Sequence, residues 1–289
     1  MADPLAATPR VYLLALLPAV LWGLEPAVSK RGMARGGTTL QAAVVVVAVD
    51  AAVYWAVLAL RGGPDFLAAF DVRTFAVFVL AGAVGTALGR LAVFASVRRI
   101  GASITAAGNG VRPVVATLLA AGLAVFAVGR GGDVSGWERR DLLFPVAAAS
   151  AFAVGNVLRR FGLQSGATVL EAVAVNETAA LAVLLGYVLV SGKSEELTAS
   201  SRAVPVFVVS GLLTAVALVS LFTALSLPEG RVAIVESLSS LAPLFTPVFA
   251  FFLLRDVERV TSTVVAGTVL SVLGVLLVTL RPLASFGLG

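Results

Sequence analysis

The chain has 289 residues, of which 59% are apolar and 13% are charged, with a mean hydropathy of +1.02. This charged fraction is about half that of a soluble domain, so the composition excludes an ordinary water-soluble fold. The absence of Cys and His excludes disulfides, thiolate or imidazole metal sites, and Ser-His or Cys-His catalysis. The net charge of +5 comes from Arg and Lys scattered between apolar blocks, which is typical of basic caps on membrane helices and not of a nucleic-acid-binding surface.

Apolar runs that end at charged residues, Gly or Pro predict nine membrane helices. A run of about 20 apolar residues crosses the hydrocarbon core as a helix, because lipid offers the backbone no hydrogen-bond partner. The first run follows Arg10 and lacks a small-residue cleavage site, so we interpret it as a retained helix and not as a signal peptide. The predicted helices cover residues 11–30, 39–60, 73–96, 102–128, 142–162, 168–190, 203–226, 231–254 and 260–280.

The two halves of the sequence resemble each other. At an offset of 130 residues, Gly36 aligns with Gly166 and Thr38 with Thr168. Such a pattern in a membrane protein predicts an internal duplication. The predicted organisation is a shortened first repeat of four helices over 11–128, a linker over 129–141, and a second repeat of five helices over 142–281.

The alignment of the halves breaks after Pro113. Nine residues separate Pro113 from the run that begins at Gly122, whereas 31 residues separate Pro243 from the similar run at Gly274. The difference of 22 residues is about one membrane helix, so the first repeat is expected to lack one. One continuous helix over 102–128 then gives nine crossings and places the second repeat parallel to the first, not inverted. The alternative is that Gly108-Asn109-Gly110 and Pro113 fold this segment back as a re-entrant hairpin, which gives an even number of crossings and inverted repeats.

Several short motifs carry a family resemblance. They are Trp22-Gly23 in the first helix, the stretch Gly230-Arg231-Val232-Ala233, the run from Leu238 to Pro243, and Leu253-Leu254-Arg255-Asp256. By these motifs the chain resembles the drug/metabolite transporter superfamily, EamA type. The resemblance implies ten membrane helices in two five-helix repeats, and transport of a small molecule. Asp256 stands where that family usually has Glu, and Phe152-Ala153 replaces Trp-Gly in the second copy.

Glu25 is the first of the ionisable residues that lie within apolar runs. An ionised side chain near the bilayer centre costs about 2.5–3.5 kcal/mol on insertion scales, so each one needs a partner, a wet cavity or a role. Glu25 is either a cavity carboxylate that exchanges a proton against substrate or a structural cap, since Lys30 and Arg31 follow about one turn later. Pro26 favours the first interpretation, because a proline bend can mark a site.

Asp50 and Glu177 lie near the centres of the second helix and of its repeat counterpart, among Val and Ala. They are expected to form a buried charge network with Arg90 or Arg112. Alternatively, the two arginines clamp a carboxylate or phosphate group of the substrate.

Two polar breaks occupy corresponding positions in the halves. The stretch Gly108-Asn109-Gly110 precedes Arg112 and Pro113, and Glu236 lies beside three serines before Pro243. Broken helices often bind ligands, although the first break is equally explained by the missing segment and the serines by hydrogen bonds to their own helix. The predicted substrate-binding residues are Trp22, Glu25, Asn109, Arg112, Asn156 and Glu236.

The sequence therefore predicts an all-α, multi-pass bundle in a prokaryotic cell membrane that acts as a secondary transporter. Its partners are the lipid bilayer and a small-molecule substrate of unknown identity, and any coupling ion is expected to be the proton. No cofactor and no nucleic acid are expected. The alternatives are a membrane scaffold or receptor that transports nothing and, with less support, an intramembrane enzyme that modifies lipid.

Overall fold

The computed structural model describes residues 8–62, 70–109 and 138–257, together with residues 262, 265–270 and 273. Every regular element in these ranges is helical. The first repeat contains α1 (Pro9–Ala34), α2 (Thr39–Arg61), α3 (Val72–Leu80), a π-helical segment (Ala81–Leu88), α4 (Gly89–Ile100) and α5 (Ala102–Asn109). The second contains a 3₁₀ turn (Arg139–Leu142), α6 (Leu143–Leu163), α7 (Val169–Ser191), a second 3₁₀ turn (Ser194–Thr198), α8 (Val204–Ser226), α9 (Val232–Ser239) and α10 (Ala242–Leu253).

Seven helical stretches among the described residues are long and apolar enough to cross a membrane. One of them, Val72–Ile100, joins α3, the π-helical segment and α4, and another, Ile234–Leu253, joins α9 and α10. This architecture confirms the prediction of an all-α membrane bundle. The helix predicted over 102–128 is described only as far as Asn109, and most of the one predicted over 260–280 lies outside the described residues.

The duplication is visible in the turns before α2 and α7. Gly36 and Gly166 both adopt left-handed backbone angles, with φ of +91° and +95°, which other residues rarely adopt. The next helix then begins with a threonine cap in each repeat, because Thr38 accepts from the Gln41 amide at 3.0 Å and Thr168 from the Glu171 amide at 3.4 Å. Equivalent residues therefore shape equivalent turns.

Close helix contacts at two glycines join the repeats. Phe207 of α8 covers Gly32 of α1, and Phe78 of α3 covers Gly162 of α6. A Cβ at either glycine would overlap the phenylalanine ring. The two pairs are related by the repeat offset, so the first helix of each repeat packs on the third helix of the other.

A basic residue in the last turn of α1 also caps the C-terminus of α4, and one in the last turn of α6 caps the C-terminus of α8. The Lys30 ammonium donates to the Val97 carbonyl at 2.9 Å, and the Arg160 guanidinium donates to the Leu227 carbonyl at 2.8 Å. Both acceptors lie at a helix C-terminus, where carbonyl groups lack helical partners and attract cations.

The second repeat is inverted with respect to the first. We call the side at which α1 begins face 1 and the side at which α1 ends face 2. The Lys30 contact places the end of α4 at face 2, and Arg99 beside that end donates to Asp141 at 2.8 Å and lies over the Phe144 ring. The chain therefore enters α6 at face 2, opposite to the start of α1.

The end of α4 and the start of α6 thus lie at the same face. The expectation of parallel repeats is therefore wrong, because the contact between Arg99 and Asp141 makes α6 antiparallel to α1. Apolar length alone does not determine at which face the next described helix begins. The number of crossings predicted between Gly101 and Glu138 falls mostly outside the described residues and stays a prediction.

Face 2 carries a further contact between α1 and the end of α10. Arg31 donates to both carboxylate oxygens of Asp256, at 2.5 and 2.6 Å. The hydrogen bonds from Arg31 hold the pKa of Asp256 below its ordinary value, so the pair persists at neutral pH. Both side chains are partly exposed, so this pair adds little to stability but marks the position of the two helix ends.

The inverted arrangement can be tested by labelling, because the chain has no native cysteine. We expect single cysteines at Glu138 and at Ser201 to react with an impermeant maleimide from the same side of intact cells. A cysteine at Gln164, which follows α6 at face 1, should react only from the opposite side. Shared labelling of the Glu138 and Gln164 variants, without Ser201, would contradict the inverted orientation.

A close backbone approach at the centre of the bundle, between Gly85 and Gly155, tests the packing. A Cβ at Gly85 would lie 2.7 Å from the Gly155 Cα, whereas one at Gly186 would meet nothing within 4 Å. Gly85→Ala is therefore expected to lower the free energy of unfolding by roughly 1–3 kcal/mol through overpacking. Gly186→Ala is the matched control, measured like the first variant by denaturation in detergent, and equal stability of the two variants would contradict the contact.

Candidate functional site

A cluster of buried polar side chains lies at the centre of the bundle, where helices of both repeats meet. We call it the central polar cluster. Its members are Glu25, Ser29, Asp50, Thr86, Arg90, Asn156, Arg159, Asn176, Glu177, Ser210, Thr214 and Glu236, all of them buried. Isolated charges are too costly at this depth, so the hydrogen bonds of the cluster determine its chemistry.

Arg159 of α6 forms the hub. Its guanidinium group donates to the Asn156 side chain at 2.5 Å, to the Thr86 hydroxyl at 2.8 Å and to the Asn176 side chain at 3.3 Å. The guanidinium carbon also lies 5.3 Å from the ring centre of Phe222. Arg159 is 1% exposed, so these contacts replace the water that its charge would otherwise bind.

Thr86 joins this hub to Glu177. Its hydroxyl donates to Glu177 Oε1 at 3.1 Å and accepts from the Asn176 amide at 2.8 Å, in addition to the bond from Arg159. The Asn176 amide also donates to Glu177 Oε1 at 2.8 Å. Within the described part of the chain, Glu177 Oε2 is buried and has no hydrogen-bond partner. Thr86 lies in the π-helical segment, and such segments are frequent at functional sites.

Asp50 links three helices. Arg90 Nη2 lies 3.3 Å from Asp50 Oδ2, and the Thr214 hydroxyl donates to Asp50 Oδ1 at 2.7 Å. The pair belongs to α2 and α4, and Thr214 to α8. Asp50 is fully buried and Arg90 is 5% exposed, so each charge depends on the other.

Glu25 accepts from the Ser29 hydroxyl at 2.5 Å, and Ser29 lies 2.9 Å from the Ser210 hydroxyl of α8. The basic residues that follow it have other partners. Lys30 binds the end of α4, and Arg31 binds Asp256. Glu25 therefore does not serve as a cap for these two cations and instead faces the interior of the bundle.

Glu236 belongs to the broken helix of the second repeat. The helix ends at Ser239 and resumes at Ala242, before Pro243. The Asn156 amide donates to Glu236 Oε1, which connects the break to Arg159. Among the described residues, Glu236 Oε2 and the Ser240 hydroxyl are buried without a hydrogen-bond partner.

A cavity of about 40 Å³ lies within the cluster. This volume holds a few water molecules at most, because one water needs about 10–15 Å³ on this measure. Its wall contains residues of both repeats, namely Trp22, Glu25, Arg90, Phe152, Asn156 and Arg159. In the part of the chain that the structure describes, no group of three or more acidic residues is placed to hold a metal ion.

The structure brings together most of the residues that the sequence singled out. Trp22, Glu25 and Asn156 line the cavity, and Glu236 touches it through Asn156. Asp50 contacts Arg90, whereas Glu177 is bound by Thr86 and Asn176. The side chain of Asn109 and the whole of Arg112 lie outside the described residues, so their predicted roles stay predictions.

Arg159 and Thr86 were missed by reasoning from the sequence. Arg159 adjoins Arg160 near the end of a predicted helix and therefore looks like half of a basic cap. Helical periodicity does not choose between the two arginines, because Asn156 lies three residues before Arg159 and four before Arg160, and both spacings share a helix face. Only the structure shows that Arg159 turns to Asn156 while Arg160 turns to the end of α8. Nothing in the sequence marks Thr86 beyond its position among Gly82, Gly85 and Gly89.

These features define a polytopic helical membrane protein built from two inverted repeats around a central polar site. A model of the EamA-like transporter family matches the chain twice, over residues 9–124 and 140–280, so the chain belongs to that family. A solved structure described as "Crystal structure of protein" is similar to 95% of this chain and 99% of its own, with a TM-score of 0.65 and 16% identity, which shows a shared fold. No curated protein matches the chain.

The pairing of Asp50 with Arg90 can be tested by a double-mutant cycle. Asp50→Asn or Arg90→Gln is expected to lower the free energy of unfolding in detergent by about 3–5 kcal/mol, because each leaves the other charge buried and unpaired. The double variant should recover part of this loss. Arg31→Gln and Asp256→Asn provide an exposed control pair with little effect. Additive losses in the Asp50 and Arg90 cycle would contradict the pairing.

Proposed function

We propose that the chain is a secondary carrier that moves a small organic molecule across a prokaryotic cell membrane, with its substrate bound at the central polar cluster. The observation that carries this proposal is the position of the cavity, which has α1 and α4 of the first repeat on one side and α6 of the second on the other. Midplane sites between inverted repeats are typical of secondary transporters.

The free-energy cost of burying so many ionisable groups in the central polar cluster supports a functional role. Four carboxylates and two guanidinium groups lie in it among the described residues: Glu25, Asp50, Glu177, Glu236, Arg90 and Arg159. Replacing buried ionic networks by apolar side chains is often neutral or stabilising, so stability alone gives little reason for so many charges. Ionisable groups inside a membrane protein commonly mark a path for substrate or ions.

The small cavity implies a cycle of opening and closing. A metabolite site usually measures about 300–1,000 Å³, so the present form is closed around the site. Opening requires movement between the repeats, whose contacts include the packing of Phe207 on Gly32 and of Phe78 on Gly162. The pair formed by Arg31 and Asp256 joins the end of α1 to the end of α10 at face 2, so it separates if these two helix ends move apart in the proposed cycle.

Protons are the coupling ion that the cluster favours. The carboxylates outnumber the cations within the described cluster, and Glu236 Oε2 lacks a partner there. A proton neutralises a buried carboxylate at little structural cost, and a cationic or polar substrate group can replace it. We assign Glu25 and Glu236 to this exchange, because each accepts its side-chain hydrogen bond from a neutral group, Ser29 or Asn156, and lies at the cavity or beside a residue that lines it.

Proton coupling can be tested in proteoliposomes that contain a pH-sensitive dye. A panel of amino acids, nucleosides and cationic drugs is added outside, and both proton movement and the uptake of each unchanged compound are measured. Glu25→Gln and Glu236→Gln are expected to abolish substrate-driven proton movement but to keep substrate counterflow, because Gln imitates the protonated carboxyl group. The exposed Glu195→Gln is the control.

Each other outcome identifies a different function. Proton movement that is unchanged in both variants contradicts the coupling role of these residues. Chemical conversion of a compound by the parent protein would indicate an enzyme. Neither transport nor conversion across the panel would favour a scaffold or receptor.

A further inference from the structure

Two lateral grooves on the lipid-facing surface are related by the internal repeat. The face-2 groove, of about 730 Å³, lies between the start of α2, α4, the start of α6 and the end of α7. The face-1 groove, of about 640 Å³, lies between the end of α2, the start of α7 and the end of α8. Leu40 in the first groove corresponds to Leu170 in the second, and Tyr187 to Val57, at the offset of 130 residues.

The face-2 groove separates apolar from charged residues along its length. Its wall is formed by Leu88, Leu91, Ala92, Ala95 and Phe144, and its end at face 2 by Arg98, Arg99, Lys193 and Glu196. From Leu88 to Arg99 the chain rises by about 16 Å along the helix axis, at 1.5 Å per residue. This is about half of a 30 Å hydrocarbon core, so the apolar wall has the depth of one leaflet.

The charged end is positive overall. Arg99 is paired with Asp141 at 2.8 Å, and Lys193 lies 3.5 Å from Glu196. Arg98 has an exposed side chain, and the described part of the chain provides it with no acidic partner. Three cations therefore face two carboxylates at the level where lipid headgroups lie.

We propose that the face-2 groove is a binding site for an anionic phospholipid. An acyl chain lies along the wall from Leu88 to Ala95, and the headgroup phosphate contacts Arg98 and Lys193. Basic pockets between membrane helices bind anionic headgroups, because clustered cations at the headgroup level attract the negative phosphate. This site is separate from the central polar cluster, so the proposal does not depend on the transport function.

The face-1 groove is the internal control for this assignment. It has a similar size and a similar apolar wall, but its described lining contains a single cation, Arg61. Its geometry admits an acyl chain as well, without the same density of charge at the end. A preference for anionic lipid should therefore follow the face-2 cations and not the apolar groove itself.

Native mass spectrometry of the purified protein tests the proposal. The protein in neutral detergent is mixed with equal amounts of phosphatidylglycerol and phosphatidylcholine that carry identical acyl chains, and the ratio of bound lipids is measured. We expect the parent to prefer phosphatidylglycerol. In the double variant Arg98→Gln, Lys193→Gln, the ratio of bound phosphatidylglycerol to bound phosphatidylcholine should fall about five-fold for each cation removed, or about 25-fold in total.

The matched control is the double variant Arg61→Gln, Arg202→Gln. It also removes two exposed cations, one from the face-1 groove and one from face 2 outside either groove, and it should keep the preference of the parent. Thermal unfolding without added lipid verifies that both double variants fold like the parent. Ala95→Trp, which fills the apolar wall without a change of charge, should weaken retention of phosphatidylglycerol.

Three results would overturn the proposal. The first is a parent that binds the two lipids equally. The second is an equal loss of preference in both double variants, which would show an effect of overall surface charge. The third is displacement of phosphatidylglycerol by inorganic phosphate at equal concentration, together with no effect of Ala95→Trp, which would show a site for a free anion.

Discussion

A guanidinium group in a low-dielectric interior needs several fixed acceptors, and Arg159 obtains them from three different segments of the chain. Its bonds to Asn156, Thr86 and Asn176 require α6, the π-helical segment and α7 to meet at one depth. The close approach of Gly85 and Gly155 makes this meeting possible, because no side chain intervenes between the two backbones. Packing and electrostatics therefore impose the same geometry on the centre of the bundle.

The carboxylates of the central polar cluster have two kinds of partner. Asp50 and Arg90 compensate each other directly, and Thr214 fixes the remaining carboxylate oxygen. Glu25 and Glu236 instead accept hydrogen bonds from neutral side chains, those of Ser29 and Asn156. The cluster thus combines an ionic part, which joins helices of both repeats, with the two carboxyl groups to which the proposed function assigns proton exchange.

The sequence predicts most of the membrane helices correctly, because apolar length and terminal charges are local properties. Capped turns at Thr38 and Thr168 are equally local and reveal the duplication. The relative orientation of the repeats is not local, since it depends on which helix ends lie together, and only the three-dimensional contact of Arg99 with Asp141 places the start of α6 beside the end of α4. Arg159 was missed for a similar reason, because two adjacent arginines look alike until the helix gives each a direction.

The π-helical segment Ala81–Leu88 has a mechanical consequence for the helix that follows it. A residue in an α-helix advances the side chains by about 100° around the axis, so a wide turn changes the phase between α3 and α4. If this segment tightened into α-helical geometry, α4 would rotate about its axis relative to α3, and Arg90 would move away from Asp50. Thr86, inside the segment, would move away from Glu177 and Arg159 in the same step. One change of winding would thereby break the contacts of Arg90 and of Thr86 in the same step.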